Sequence, residues 1–168
     1  MIIKYYPTRT ASVNTITAHL QQCELQRIKP DLVIVDYADI MKSTQQFTEK
    51  RHQIGHVYEE LRGLAGEFEI PIWTASQANR SSLEEEVIGA DKVSEDYSKV
   101  MTADFVMSMS RKVEDKIANT GRFHVIKNRF GPDGLTFPAN INTNTGNIQI
   151  FETSSVGGKQ AQGKMDNS

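Results

Sequence analysis

The sequence predicts an α/β protein built around a mostly parallel sheet. Two observations support this fold class: strand-like and helix-like segments alternate along the chain, and one strand-like run is apolar at every position. That run is residues 32–35 (LVIV). Because successive side chains of a strand point to opposite faces, an unalternating apolar strand needs cover on both faces. Such strands are typical of parallel sheets with helices above and below.

Bulk composition restricts the classes of function. The chain has 168 residues, enough for about one domain, and a formal net charge of −2, which gives no global basic field for nucleic acid. The single cysteine, Cys23, excludes an internal disulfide and favours a reducing compartment, so a cytoplasmic location is expected. No apolar stretch approaches the roughly 20 residues that span a bilayer, so no membrane association is expected.

The first half of the chain predicts two strands and two helices. Residues 2–6 are short, rich in Ile and Tyr and followed by Pro7, which predicts a strand. Ser12 is a suitable N-cap for a helix whose apolar residues recur at spacings of 3, 4 and 3. After the strand at residues 32–35, an apolar stripe at helical spacing predicts a long helix over about residues 49–69.

Residues 70–75 (IPIWTA) are the next predicted strand. Pro71 is tolerated because it lies at the start, and Trp73 is expected in the core. The polar segment that follows, residues 76–99, is long for a connection, and long connections are often functional.

The second half predicts more strands and a tail. A turn cluster, Gly-Pro-Asp-Gly at residues 131–134, separates two pairs of strands, and the last pair is expected to form a hairpin. Beyond residue 152 the chain lacks apolar periodicity, so we predict one domain over residues 1–152 and a disordered tail over residues 153–168. The four predicted strands are residues 103–110, 123–127, 135–139 and 147–151.

Polar groups follow three of the predicted strands. Ligands of open α/β sheets bind beyond the carboxyl ends of the strands, where Asp36 and Gln77 are expected. A carboxylate directly after buried apolar residues is costly unless it is paired or binds a metal, although Asp36 as a cap of the next turn stays open. Lys127 and Arg129 flank Asn128, and two cations on one face suit a polyphosphate. Two solvated charges at a strand end are the alternative.

In combination, these motifs resemble the DnaB-like replicative helicases, a family of ring-forming RecA-like motors. Residues 31–37 (DLVIVDY) are similar to the Walker B strand of that family, and residues 72–80 (IWTASQANR) to its Ser-Gln-x-Asn-Arg motif. Residues 127–132 (KNRFGP) are similar to its Lys-x-Arg-x-Gly-Pro motif. Lys92-Val-Ser94 and Ala103-Asp104 occur in the expected order. The resemblance covers about residues 1–151, and residues 7–20 are closest to phage-type members.

The resemblance implies ATP and Mg²⁺ as cofactors and gives the site residues their roles. Asp36 would hold the Mg²⁺ of ATP, and Gln77 would sense the γ-phosphate and relay its state to DNA-contacting loops. Arg129 would be an arginine finger that reaches into the site of a neighbouring subunit, with Lys127 beside it. Gln77, Lys127 and Arg129 are thus the implied catalytic residues, and Arg80 and Lys92 the implied nucleic-acid contacts.

An arginine finger that acts in trans implies a ring of identical subunits, expected to be a hexamer. The implied function is ATP hydrolysis coupled to translocation on single-stranded DNA and unwinding of the duplex, in a bacterial or phage-infected cytoplasm. A primase or a helicase loader is a further implied partner. The other cations on the two candidate loops are expected to be solvated surface charges: Lys42, Lys50, Arg51 and Lys99.

One part of the family pattern is missing from the sequence. The 168 residues contain no Gly-x-x-x-x-Gly-Lys-Ser/Thr phosphate loop, so the first central strand and the Walker A loop of a RecA-like P-loop NTPase are expected to be absent. The chain is therefore expected to be a fragment that is inactive alone. Two alternatives stay open: another RecA-like ATPase, such as a recombinase or a clock-type ring protein, and a non-catalytic module that binds a ring.

Overall fold

The computed structural model describes residues 1–78, 87–90 and 98–152. The chain divides into two compact units, and we describe each by itself: Met1–Arg80 with Ala90–Asp104, and Ser81–Gly89 with Phe105–Ser168. The predicted tail over residues 153–168 lies outside the described residues, so it stays a prediction.

The first unit pairs two short parallel strands and packs helices against them. The pairing sets Val33 opposite Ile72 and Val35 opposite Thr74, which confirms the predicted parallel strands. The helix predicted after Ser12 is also present, and the Ser12 N–H donates to Thr15 Oγ1 over 3.2 Å. The elements are α1 (Val13–Leu25), β1 (Val33–Val35), a 3₁₀ helix (Ala38–Ile40), α2 (Lys50–Phe68), β2 (Ile72–Thr74) and α3 (Ser98–Thr102).

The core of this unit lies between α2 and one face of the sheet. The predicted apolar stripe of α2 is buried, and Val33, Val35 and Ile72 pack against the same core from the strands. Complete burial of a Val or Leu side chain stabilises the folded state by roughly 1.5–3 kcal/mol. Packing on this face is therefore the main interaction that keeps β1 and β2 in place. The fully buried members of the core are Val13, Leu20, Ala38, Val57, Leu61, Leu64 and Ile70.

The opposite face of the sheet corrects two expectations. The run at residues 32–35 is covered on one face only, because strand alternation directs Ile34 away from α2, and Ile34 is 71% exposed. Trp73, expected in the core, lies on β2 beside Ile34 in the pairing and is 52% exposed. The physical reason is the same for both side chains: the described core of this unit packs on the other face of the strands.

The N-terminal strand prediction is wrong. Residues 2–6 have no strand structure, and all five residues are exposed. Composition alone favoured a strand there, but a strand needs a neighbour to satisfy its backbone groups, and no described strand pairs with this segment.

The second unit is a four-stranded antiparallel sheet in the order β3-β4-β5-β6. The terminal hairpin, β5 with β6, is confirmed. Parallel pairing is confined to β1 and β2, so antiparallel pairs form a larger part of the described fold than expected. The short helix α4 was not predicted, since six residues are too few to show helical periodicity. The elements are β3 (Phe105–Ser110), α4 (Val113–Ala118), β4 (Thr120–Asn128), β5 (Thr136–Asn142) and β6 (Asn147–Ile150).

A small apolar core supports one face of this sheet. Phe123 on β4 packs against Ala139 and Ile141 on β5, with Phe137 beside them. Gly121 permits a close approach in β4, because a Cβ there would come within 2.6 Å of the Ile141 side chain and 3.1 Å of the Ser110 carbonyl, so a larger residue would force both to shift. None of the helices in the described ranges combines the length and apolarity needed to cross a membrane.

Candidate functional site

The carboxyl ends of β1 and β2 bring two predicted site residues to the same edge of the sheet. Asp36 directly follows β1, and Gln77 comes shortly after β2. Both side chains are exposed. Gln77 Nε2 donates to the Tyr37 hydroxyl over 3.2 Å, which ties the glutamine to the residue beside Asp36. This edge therefore presents the exposed carboxylate of Asp36 and the side-chain amide of Gln77, which is hydrogen-bonded to Tyr37.

Thr74, the last residue of β2, joins the two strand ends. Its Oγ1 donates to the carbonyl of Val35 over 2.9 Å and accepts from the N–H of Ala38 over 2.9 Å. One hydroxyl thus connects β2 to the end of β1 and to the 3₁₀ helix that follows Asp36. Because Ala38 is buried, its N–H has no access to bulk water and depends on this hydroxyl.

Beside this edge lies a hydrogen-bonded cluster, which we call the Lys99 cluster: the buried Lys99, the partly buried Asp39 and Tyr58, and the exposed Ser76. Lys99 Nζ lies 2.9 Å from Asp39 Oδ2 and 3.1 Å from Ser76 Oγ, and Ser76 Oγ donates to Asp39 Oδ2 over 3.0 Å. The Tyr58 hydroxyl donates to Asp39 Oδ1 over 2.8 Å. Burial raises the pKa of Tyr58 far above its ordinary value, and the charge of Asp39 raises it further, so Tyr58 stays a hydrogen-bond donor.

The Lys99 cluster corrects the expectation that Lys99 is a solvated surface charge. Its side chain is 3% exposed, because α3 lies against α2 and directs the ammonium toward Asp39. By contrast, Lys42, Lys50 and Arg51 are exposed, as expected.

A shallow cavity of about 370 Å³ opens beside Asp36 on the uncovered face of the sheet. Most of its lining is apolar, and Asp36 is its one acidic residue. The cavity continues the exposed surface around Ile34. Its lining residues are Leu32, Ile34, Val35, Asp36, Trp73, Thr74 and Ala75.

The donor chemistry of Asp36 suits Mg²⁺, which is usually held by one or two carboxylates together with water and phosphate oxygens. Within the described ranges, no group of three or more His, Cys, Asp or Glu side chains could form a metal site by itself. A single exposed carboxylate at a strand end fits a metal that arrives with a nucleotide, rather than a metal held by protein ligands alone.

Lys127 and Arg129 lie in the second unit, at the end of β4. Lys127 is half-buried in the strand, whereas Arg129 is exposed in the turn that follows. The side chain of Asn128 shapes this turn: its Nδ2 donates to the carbonyl of Pro132 over 3.2 Å, and its Oδ1 accepts from the N–H of Phe130 over 3.1 Å. The predicted turn cluster is thus confirmed, and the side chain of Asn128 braces the turn that carries Arg129 at the end of β4.

The predicted nucleic-acid contacts, Arg80 and Lys92, both lie outside the described residues. Sequence reasoning missed Asp39, Tyr58 and Lys99 as neighbours of the site. A signal was available for Asp39, which follows Asp36 by three residues and so remains near the same edge. Nothing local in the sequence pairs Asp39 with Lys99, since 60 positions separate them.

The described residues form an α/β fold with a parallel strand pair and an antiparallel sheet, and solved structures identify this fold as RecA-like. A solved ATPase domain shares this fold, with a TM-score of 0.73 and 20% identity over 84% of this chain and 52% of that one. So does a DnaB-like replicative helicase whose structure was described with its interactions with primase, with a TM-score of 0.74 and 20% identity over 84% of this chain and 35% of that one.

The chain belongs to the family of the DnaB-like helicase C-terminal domain, whose model matches residues 2–143. A DnaB-like replicative helicase of Enterobacteria phage T4 is 31% identical over 135 residues. That match covers 78% of this chain and 28% of the phage protein, so the chain spans little more than a quarter of this relative. The resemblance to the DnaB-like helicases is confirmed, with a phage protein among the relatives.

Proposed function

We propose that this chain is the C-terminal part of a hexameric, ATP-dependent replicative DNA helicase. That helicase couples ATP hydrolysis to translocation on single-stranded DNA and to unwinding of the duplex. The observation that carries the proposal is the shared edge of β1 and β2, where an exposed carboxylate, Asp36, lies beside an amide, Gln77, that is held by Tyr37. Membership of the DnaB-like family supports the same conclusion.

In this proposal each residue of the edge has one task. Asp36 holds the Mg²⁺ of bound ATP, and the bound Mg²⁺–ATP supplies the phosphoryl group that is transferred to water. Gln77 donates a hydrogen bond from its amide to a terminal phosphate oxygen. Because Gln77 is also bonded to Tyr37, a shift of its amide changes contacts on the segment next to Asp36. Gln77 therefore couples the state of the phosphate to the segment next to Asp36, and in this proposal it relays that state to the DNA-contacting loops.

Lys127 and Arg129 supply positive charge to the phosphates. Arg129 is exposed in a turn braced by Asn128, an arrangement that suits a side chain which acts on a neighbouring subunit. A guanidinium placed against transferring phosphate oxygens is worth roughly 10³-fold or more in rate in other phosphoryl-transfer systems. Identical subunits in a ring are therefore the first proposed partner.

Further proposed partners are single-stranded DNA, contacted through Arg80 and Lys92, and a primase or a helicase loader. A primase is suggested by the solved DnaB-like helicase that was described with one. The phosphate loop must come from residues other than these 168. We therefore use the term complete motor for this chain together with the polypeptide that supplies its phosphate loop.

A second candidate function follows from that missing motif. Without a phosphate loop in its sequence, the chain fits a non-catalytic module that joins or blocks a helicase ring. Such a module would co-purify with an intact helicase and would leave ATP hydrolysis unaffected by changes at Asp36.

The proposal is tested by Asp36→Asn in the complete motor. We expect ATP hydrolysis to fall by about 10²-fold or more, because a neutral amide is a poor Mg²⁺ ligand. Since Asp36 is exposed, the thermal unfolding midpoint should not change. The matched control is Asp31→Asn, an exposed carboxylate just before the opposite end of β1. Unchanged hydrolysis in Asp36→Asn would contradict the helicase proposal and favour the non-catalytic module.

A further inference from the structure

The Lys99 cluster connects three segments that are far apart in the sequence. Asp39 belongs to the 3₁₀ helix after β1, Ser76 follows β2, and Lys99 lies on α3. Their polar atoms are mutually in contact, with separations of 2.9, 3.0 and 3.1 Å. The three side chains therefore form a closed triangle rather than a chain of contacts.

Burial makes this triangle expensive. The Lys99 side chain is 3% exposed and that of Asp39 12% exposed, so both charges have left most of their hydration shell. The attraction within a buried ion pair often only offsets this desolvation, and an apolar pair of similar volume can be equally stable. Net stability is thus a weak reason for Lys99 and Asp39. The charged pair supplies directional contacts, which fix the geometry between the segments. An apolar pair does not, because dispersion contacts have no direction.

Tyr58 restricts the geometry further. Its hydroxyl, on α2, donates to Asp39 Oδ1, while Lys99 and Ser76 occupy Oδ2. Lys99 Nζ also lies 5.6 Å from the centre of the Tyr58 ring, within the range of a cation–π interaction. With partners on both oxygens, the Asp39 carboxylate is held in one orientation.

The triangle is adjacent to both residues of the candidate site. Asp39 follows Asp36 by three residues, and Ser76 directly precedes Gln77. A displacement of either segment would change the distance between the Asp36 carboxylate and the Gln77 amide. Phosphoryl-transfer sites depend on such distances, and a misplacement of about 1 Å can cost about 10²-fold in rate.

We propose that Lys99 is a positioning residue of the candidate site: its contacts with Asp39 and Ser76 hold the carboxyl ends of β1 and β2 so that Asp36 and Gln77 act on the same nucleotide. This inference rests on the proposed function. It assigns Lys99 no contact with the nucleotide.

The test is a double variant, Lys99→Met with Asp39→Leu, made in the complete motor. It removes both charges together, so neither is left buried and unpaired. A Lys99→Arg variant keeps the charge. The matched control is Arg62→Met, which also removes a tie between α2 and the region of α3, because Arg62 pairs with Asp104 over 2.9 Å and donates to the carbonyl of Thr102. All variants are first compared by thermal unfolding.

Two readouts are measured. The first is amide hydrogen exchange, without nucleotide, in peptides covering residues 36–41 and 75–78. The double variant should exchange there at least about tenfold faster, because a local opening that is held by the triangle becomes easier. The second is steady-state ATP hydrolysis, where kcat should fall by about 10- to 100-fold while KM changes little, because geometry matters most in the transition state. In Lys99→Arg the exchange rate and kcat should both lie much closer to the wild-type values than in the double variant. Arg62→Met should resemble the wild type in both.

The outcomes separate the positioning role from the proposed function. If the double variant folds and shows wild-type exchange and kcat, the positioning role is wrong. If the double variant fails to fold, Lys99→Arg decides through the agreement of its two readouts: exchange and kcat that change together, or that both stay near the wild type, support the role, and a change in only one of them overturns it. If the unaltered complete motor hydrolyses no ATP, the proposed function fails, and hydrogen exchange alone still decides whether Lys99 holds the two strand ends.

Discussion

Three aspartates of this chain differ in their surroundings, and each surrounding suits a different role. Asp36 is exposed at a strand end and is available to a ligand. Asp39 is largely buried and is bonded within the Lys99 cluster. Asp115 is buried in the second unit, where it receives hydrogen bonds from the Lys112 N–H (2.9 Å) and the Arg122 guanidinium (2.8 Å). Identical side chains thus have three different surroundings, which suit the proposed ligand binding of Asp36, the proposed positioning through Asp39, and a role of Asp115 in local stability.

The hydrogen bonds of Asp115 predict a pH dependence of stability. The bond from the Lys112 N–H lowers the pKa of Asp115 most, and the bonds from Arg122 and Thr120 lower it further, against the opposing effect of burial. A carboxyl whose folded pKa lies below its unfolded pKa stabilises the protein at higher pH. That contribution is complete above the ordinary value of 3.8 and is lost as the pH falls through the lowered folded value.

Asp115→Asn should therefore lower the thermal unfolding midpoint at pH 7, and the difference from the wild type should shrink as the pH falls below about 4. Circular dichroism melts at pH 7, 5 and 3 would measure this. Asp133→Asn, in the exposed turn after β4, is the control and should have no effect. A difference for Asp115→Asn that is equal at every pH would show that the stabilisation is not electrostatic.

At the scale of elements, the side chain of Thr74 adds to the hydrogen bonds between the two parallel strands. β1 and β2 are each three residues long, so their ladder contains few backbone hydrogen bonds. The Thr74 hydroxyl adds one bond across the pair and satisfies the buried N–H of Ala38. The strand ends that carry Asp36 and Gln77 consequently depend on Thr74 as well as on the Lys99 cluster.

Thr74→Val should destabilise the protein by about 2 kcal/mol, because the substitution keeps the shape but leaves the N–H of Ala38 unsatisfied. Thr74→Ser retains the hydroxyl and should lose less than half as much. Urea unfolding of the wild type and both variants would measure the difference. An equal loss of unfolding free energy in Thr74→Val and Thr74→Ser would show that the hydroxyl of Thr74 does not provide the stabilisation.

Local pattern was sufficient to predict most elements. The periodic stripes of α1 and α2 and the composition of the strands indicated their positions within a few residues, as did the turn cluster before β5. What failed depended on partners that are distant in the sequence. The exposure of Ile34, the missing strand at residues 2–6 and the burial of Lys99 are all decided by what packs against them. No local pattern carries that information.

The same distinction applies to the candidate site. Asp36 and Gln77 were predictable, because the order of parallel strands brings their carboxyl ends to one edge. The Lys99 cluster was not predictable, since it depends on how α3 packs. The roles of Asp36, Gln77, Lys127 and Arg129 stay predictions that the Asp36→Asn experiment begins to test.

At the scale of the whole molecule, two independent features suggest that the chain does not work alone. The face of the β1–β2 sheet around Ile34 and Trp73 is largely exposed, with a shallow apolar cavity beside Asp36. Contiguous apolar surface of this kind usually marks a contact with other polypeptide. In addition, the 168 residues contain no phosphate-loop motif, and they match 52% of a solved ATPase domain of the same fold.

We therefore predict that the purified 168-residue chain hydrolyses no ATP. Without backbone N–H groups to cradle the phosphates, Asp36 and Gln77 cannot orient a terminal phosphate by themselves. Phosphate release with saturating Mg²⁺ and ATP should equal that of an Asp36→Ala variant of the same chain. Joining the chain to a polypeptide that carries the phosphate loop should produce hydrolysis that depends on Asp36 and Arg129. Hydrolysis by the isolated chain that disappears in Asp36→Ala would show instead that the nucleotide site is complete within these residues.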